Sequence, residues 1–160
     1  MKNILLIGGS YGIGLAIAKE IESGNNVFVA SRTNENLEDL NVTHIPFDAL
    51  NDTLDLSTLP AVIDGLVYCP GSINLRPFRG LKPEAFENDL QINFISLVKV
   101  IQSILPNLTA SEQSSIVLFS SVAASMGMPF HTSVAASKGA IEGFAKALAA
   151  EYAPKIRVNV

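Results

Sequence analysis

Short apolar runs alternate along this chain with longer stretches in which apolar residues recur every three or four positions. Ile4-Leu5-Leu6-Ile7 is the first run. Glycines follow at once, and then Leu15, Ile17, Ala18 and Ile21 fall on one face of a helix. Residues 26–31, rich in Val and Phe, read as a second strand. Residues 34–40 predict a short helix with Asn34 as its cap. Residues 43–47 and 62–68 predict a third and a fourth strand. A long helix is expected within residues 82–108, with Leu90, Phe94, Leu97, Val98, Ile101 and Leu105 on one side. Pro106 is expected to end or bend it. Residues 116–119 read as a buried fifth strand, and residues 133–152 as a helix of small residues carrying Ile141, Phe144, Ala145 and Leu148. Residues 156–160 begin a sixth strand. Strands alternating with helices predict an α/β architecture, a doubly wound parallel sheet with helices on both faces.

Composition narrows the class. The 160 residues suit a single domain, 1–160, and 48% of them are hydrophobic, as a packed core requires. A formal charge of −4 supplies no basic patch for nucleic acid. Cys69 is the only cysteine, which excludes an intrachain disulfide and points to a reducing, cytoplasmic setting. The first apolar run is four residues long and reads as a core strand rather than a signal peptide. No apolar stretch approaches the roughly 20 residues of a membrane span. The chain stops inside an apolar strand, which predicts a domain incomplete at its C-terminus.

Candidate chemistry begins at Gly8-Gly9-Ser10-Tyr11-Gly12-Ile13-Gly14, between the first strand and the first helix. Glycines let the backbone approach a pyrophosphate, and the following helix aims free N–H groups at the anion. An ATP- or GTP-binding loop would place lysine directly after its last glycine, but Leu15 stands there. The spacing Gly-x-Gly-x-x-Gly is absent as well. What remains is Gly8-x3-Gly12-x-Gly14.

This loop, with Asp48 after the third strand, Asn93 in the long helix and Ser120-Ser121 after the fifth strand, resembles the short-chain dehydrogenase/reductase family. Ala136-Ser137-Lys138-Gly139-Ala140 and Arg157-Val158-Asn159-Val160 extend the resemblance over the whole chain. It implies a Rossmann fold that normally holds seven strands, a nicotinamide coenzyme, a small-molecule substrate and a homo-oligomer, dimer or tetramer, paired through the two long helices. NAD enzymes of this fold place a carboxylate at the end of the second strand. Here Ser31 and Arg32 stand there, and a hydroxyl and a guanidinium suit a 2′-phosphate. The coenzyme expected is therefore NADP(H). Glu35 would be turned away from the ribose. Asp48 is expected to contact adenine or to cap the next turn, and Gly71 to let the backbone pass near the coenzyme.

The same resemblance implies a serine, a tyrosine thirteen residues later and a lysine four beyond. Ser121 and Lys138 fit, but position 134 is Val, which has no proton to give. Ser121 would hydrogen-bond the reacting oxygen, Lys138 would hold the nicotinamide ribose, and Asn93 would hold a water. His131, seven residues before Lys138, takes the place of the tyrosine in some enoyl reductases of this superfamily and is a candidate acid. A solvent-facing loop histidine is the alternative. Tyr68-Cys69-Pro70-Gly71 replaces the family's Asn-Asn-Ala-Gly, with Cys69 read as a small buried apolar residue. Asn74, Phe78 and residues 126–130 are expected near the substrate. Two functions stand open: an NADPH-dependent oxidoreductase of ketones or aldehydes with impaired or substituted acid catalysis, and a nucleotide-binding protein without turnover.

Overall fold

The computed structural model describes residues 1–160. Six strands form one sheet: β1 Asn3–Ile7, β2 Asn26–Ser31, β3 Val42–Pro46, β4 Gly65–Tyr68, β5 Ser114–Leu118 and β6 Ile156–Asn159. Their spatial order is β3-β2-β1-β4-β5-β6, and every pairing is parallel. The order switches direction between β1 and β4. A crevice therefore opens outside their carboxyl ends, where ligands bind in such sheets. Ile7 stands opposite Ala30 on one side and Tyr68 on the other. The loops after β1, β2 and β4 thus leave the sheet at one level and share one rim.

Helices α1 Gly12–Ile21, α3 Ser96–Ala110 and α5 Thr132–Tyr152 cover the two faces. On one face, Leu97, Ile101, Ile104 and Leu108 of α3 and Ile141 and Leu148 of α5 pack with Leu5, Ile7, Leu66 and Ile116. On the other, Ala18 of α1 packs with Leu6, Val27, Val29 and Leu37. Strands buried on both sides read as continuous apolar runs, which is why β1 was so plain in the sequence.

Four expectations change. Residues 34–40 hold only a 3₁₀ turn, Glu35–Leu37, with no side-chain cap from Asn34. The long helix runs as α2 Pro83–Leu90, a π turn Gln91–Ile95, and α3. One inserted residue rotates the face by about 100°. The buried stripe of α3 is therefore Leu97, Val100, Ile101, Ile104 and Leu108, while Leu90 and Phe94 lie half-buried beside it. Pro106 does not end the helix, which continues to Ala110. It lies on the exposed side with Gln102, whose freed carbonyl can be solvated. Finally, the helix Pro83–Ala110 is long and apolar enough to cross a bilayer by length and composition. In this fold its apolar stripe lies against the sheet. A short helix that the sequence pattern did not announce, α4 Val122–Ser125, follows β5.

Candidate coenzyme cleft and active site

The loop after β1 makes its turn through two residues in the left-handed region, Gly8 at φ 78° and Gly12 at φ 55°. A Cβ built on Gly14 would meet the Gly8 carbonyl oxygen at 2.3 Å, so the helix start and the strand end touch through backbone alone. No side chain caps α1, and its first turn holds no acidic residue. Its leading N–H groups are left for an anion. The adjoining cleft has a volume of about 290 Å³ and is lined by Gly8, Ser10, Tyr11, Ser31, Arg32, Asp48, Cys69 and Gly71, among others. Gly12, Ile13 and Gly14 form the first turn of α1 rather than the cleft wall. The residues present fit a dinucleotide: a bare backbone cradle at one end, a cation at the other.

At the outer end the details differ from expectation. Ser31 is buried, and its hydroxyl donates to the Thr33 carbonyl at 2.8 Å. His44 of β3 places Nε2 3.0 Å from the Ser31 carbonyl oxygen and 3.1 Å from Ser31 Oγ. Ser31 has spent its only hydrogen inside the protein. Arg32, exposed beside it, is the donor left facing the cleft. Asp48 caps its own turn: Oδ1 accepts from the Leu50 N–H at 3.0 Å and Oδ2 from Asn51 Nδ2 at 3.0 Å. These bonds, with a smaller contribution from the Arg32 charge, hold its carboxyl below the usual aspartate value. Asp48 lines the cleft as well. Glu35 is exposed and does not line it.

At the inner end, Lys138 of α5 donates from Nζ to the Phe119 carbonyl at 2.9 Å. Burial pushes its pKa down, and the nearby Cys69 works the other way. Burial pushes the Cys69 thiol up to about 11, with Lys138 opposing. Cys69 is therefore a neutral thiol, and its backbone N–H continues the sheet by bonding the Ile7 carbonyl at 2.9 Å. A Cβ at Gly71 would sit 3.3 Å from Asn93 Oδ1 and 3.6 Å from Lys138 Nζ. The missing side chain leaves both polar atoms facing one small space. Asn93 is fully buried and belongs to the π turn. That turn is pinned to β4 by the Tyr68 hydroxyl, which donates to the Ile92 carbonyl at 2.7 Å. Burial raises the Tyr68 pKa, so the phenol stays a donor.

Ser121 caps α4, accepting from the Ala123 N–H at 3.2 Å. That bond uses a lone pair and leaves the O–H free to donate. Val134 is only 4% exposed, an apolar residue one turn before Lys138. His131 stands at the N-terminus of α5 with Nδ1 2.7 Å from the Pro129 carbonyl oxygen. A carbonyl only accepts, so Nδ1 carries the hydrogen and neutral Nε2 carries none. No hydrogen bond joins His131 to Ser121 or Lys138. Of the residues expected near a substrate, Phe78 and Met126 are 69% and 66% exposed, and Phe130 adopts φ 69°. Asn74 instead donates to Asp89. The sequence reading missed Ser72, Asn74 and Asp89 as a set. Asp89 lies in α2, while Ser72 and Asn74 lie in the loop after β4, so no local spacing announced the set.

Residues 2–160 match the family model described as short chain dehydrogenase. The chain belongs to that family. Among curated short-chain relatives, human retinol dehydrogenase 8 is 30% identical over 167 residues, covering 92% of this chain and 53% of its own length. The 3-oxoacyl-[acyl-carrier-protein] reductase of Buchnera aphidicola is 28% identical, covering 99% and 71%. This short chain dehydrogenase sequence thus spans about half the length of the first of these relatives. Among solved structures, a short chain dehydrogenase from Escherichia coli CFT073 complexed with NADPH superposes with a TM-score of 0.91 at 26% identity, covering 99% of this chain and 74% of that one. A Shigella flexneri short chain dehydrogenase complexed with NADP gives 0.90 at 27%, covering 99% and 74%. The doubly wound sheet read from the pattern is the Rossmann fold of this family.

Proposed function

We propose that this chain is the coenzyme-binding and catalytic core of an NADP(H)-dependent oxidoreductase interconverting a carbonyl and an alcohol. The observation that carries the proposal is the half-buried Lys138 ammonium, fixed on the Phe119 carbonyl and sharing the Gly71 space with Asn93. A protein that only held a nucleotide would need neither the buried Asn93 nor a free Ser121 hydroxyl. A bound reduced nicotinamide supplies the hydride. The glycine turn and the bare start of α1 grip the pyrophosphate. Arg32 takes the 2′-phosphate, a role that favours NADP(H) over NAD(H) and agrees with the coenzymes of the E. coli and S. flexneri structures. Lys138 holds the ribose hydroxyls beside Gly71. Ser121 donates its free O–H to the developing oxyanion, a contribution on the order of 10²-fold or more.

Val134 contributes no proton. The general-acid share, typically about 10²- to 10⁴-fold, is therefore lost or supplied elsewhere. His131 can supply it only as the imidazolium, because its neutral form keeps its hydrogen on the Pro129 carbonyl. The buried apolar Val134 also favours a second reading, an NADP(H)-binding protein without turnover. Assembly is part of the proposal. Phe94 and Phe144 meet edge-on at 5.6 Å between the long helix and α5, half-buried, and form an outer apolar seam that a second copy would cover.

Fluorescence titration of the intact chain with NADPH and NADH tests the core of the proposal. Tighter NADPH binding is expected, and Arg32→Ala should reduce the preference about tenfold or more, the scale of one charge-assisted contact. An unchanged ratio removes Arg32 from the assignment. Silence with both coenzymes removes the assignment altogether.

A further inference from the structure

Asn93 presents its acceptor, not its donors, to the space beside Lys138, and its own bonds explain why. Nδ2 donates to Ser72 Oγ at 3.0 Å and to the Asp89 carbonyl at 2.8 Å. Ser72 Oγ in turn donates to Asp89 Oδ1 at 2.5 Å, and Asn74 Nδ2 donates to the same oxygen at 3.0 Å. Every hydrogen in this chain points one way, from Asn93 through Ser72 into Asp89. The Asp89 carboxylate, through Ser72, and the Asp89 main-chain carbonyl, directly, both accept, and together they fix that polarity. With its hydrogen committed to Asp89, Ser72 can only accept from Asn93. Oδ1 of Asn93 is then the atom left over, buried and without a protein partner. That is the atom a Gly71 Cβ would meet at 3.3 Å, in the space where Lys138 Nζ also lies.

We propose that Asp89 is a positioning residue: through Ser72 it locks the Asn93 amide so that an acceptor faces the Lys138 ammonium, and thereby sets how Lys138 is held for the coenzyme. Asp89 is fully buried in α2, one turn before Asn93, and no lysine, arginine or histidine pairs with it. Its Oδ1 accepts from a hydroxyl and an amide, the partners an orienting acceptor needs, while its Oδ2 is buried without a protein partner. Remove that acceptor and Ser72 is free to turn its hydrogen onto Asn93 Oδ1. With Ser72 no longer held as an acceptor, the Asn93 amide keeps one fixed partner, the Asp89 main-chain carbonyl, and its orientation toward the ammonium loosens. The inference rests on the coenzyme role given to Lys138 above, but the amide orientation itself does not.

The test compares Asp89→Asn, Asp89→Leu and Ser72→Ala in the intact chain, using NADPH fluorescence titration and hydrogen exchange of the Asn93 side-chain amide by ¹⁵N NMR. Asp89→Asn keeps an acceptor oxygen and should keep NADPH affinity within about twofold and the Asn93 amide protected. Asp89→Leu and Ser72→Ala should weaken NADPH about tenfold and speed that amide's exchange by a similar factor, as loss of one buried bond does. Ser72→Ala decides the matter if Asp89→Leu does not fold. Native affinity and native protection in Ser72→Ala overturn the proposal. So does Asp89→Asn behaving like Asp89→Leu, which would assign Asp89 a role through its charge. If the unaltered chain binds no NADPH, the proposed function falls, while the exchange rates still judge the orientation of Asn93.

Discussion

A methyl group at Gly14 would press 2.3 Å from the Gly8 carbonyl oxygen, and neither atom belongs to a flexible side chain. Gly14→Ala is therefore expected to open the turn and abolish coenzyme binding, read by loss of NADPH fluorescence enhancement. The opposite kind of site is Val134. Val134→Tyr should raise turnover about a hundredfold or more if the scaffold lacks only its acid. Because Val134 is buried, the added ring should also cost about 1–3 kcal/mol in stability. Single-turnover reduction of a ketone panel and urea unfolding measure the two effects. If His131 supplies the proton instead, His131→Gln should lower turnover about a hundredfold while leaving the NADPH Kd unchanged. The need for glycine was legible in the sequence at Gly8 and Gly14, where the backbone turns and closes on itself. The bonding of Ser31 was not legible, because nothing local announces that its hydrogen goes to Thr33 and that His44 leans on it.

Between elements, Asp64 shows how one side chain sets where strands begin. Its Oδ2 accepts from the Asn3 N–H at 2.9 Å and its Oδ1 from the Ser111 hydroxyl at 2.7 Å, joining the starts of β1 and β4 to the segment before β5. These bonds, the Asn3 N–H first, hold the carboxyl below the ordinary 3.8. A depressed folded value means the stabilisation is complete above the unfolded pKa and is lost as pH falls through the folded one. Asp64→Asn should therefore be about 1 kcal/mol less stable than the native chain at pH 7. The difference should shrink below about pH 4, and urea midpoints across pH would show it; a gap that grows on acidification would contradict it. The π turn was the element least visible in advance. Its residues have ordinary helical propensities, and the extra residue is held by tertiary bonds such as Tyr68 to Ile92.

For the whole molecule, the larger core lies under α3 and α5, and Ile104 is a fully buried member of it. Ile104→Ala should cost about 2–5 kcal/mol by thermal or urea unfolding, with the coenzyme cleft unchanged in the folded fraction. The proposed pairing of copies is measured by light scattering on the eluting protein. A dimer or tetramer is expected, and Phe144→Glu should shift the population towards monomer; a native chain that elutes as a monomer at all concentrations removes the assembly from the proposal.

The sheet and the glycine turn were readable from the order of residues alone. Both are local or periodic: apolar runs buried on two faces, glycines where a backbone must turn, and a helix that begins uncapped. The polarity of the site was fixed by contacts between distant parts of the fold. Whether Ser31, Asp48 or Asn93 offers a donor, an acceptor or nothing depends on where each of its hydrogens and lone pairs already goes. Those partners lie between 2 and 21 residues away. A hydrogen bond is satisfied by position in space, and no spacing along the chain reports it.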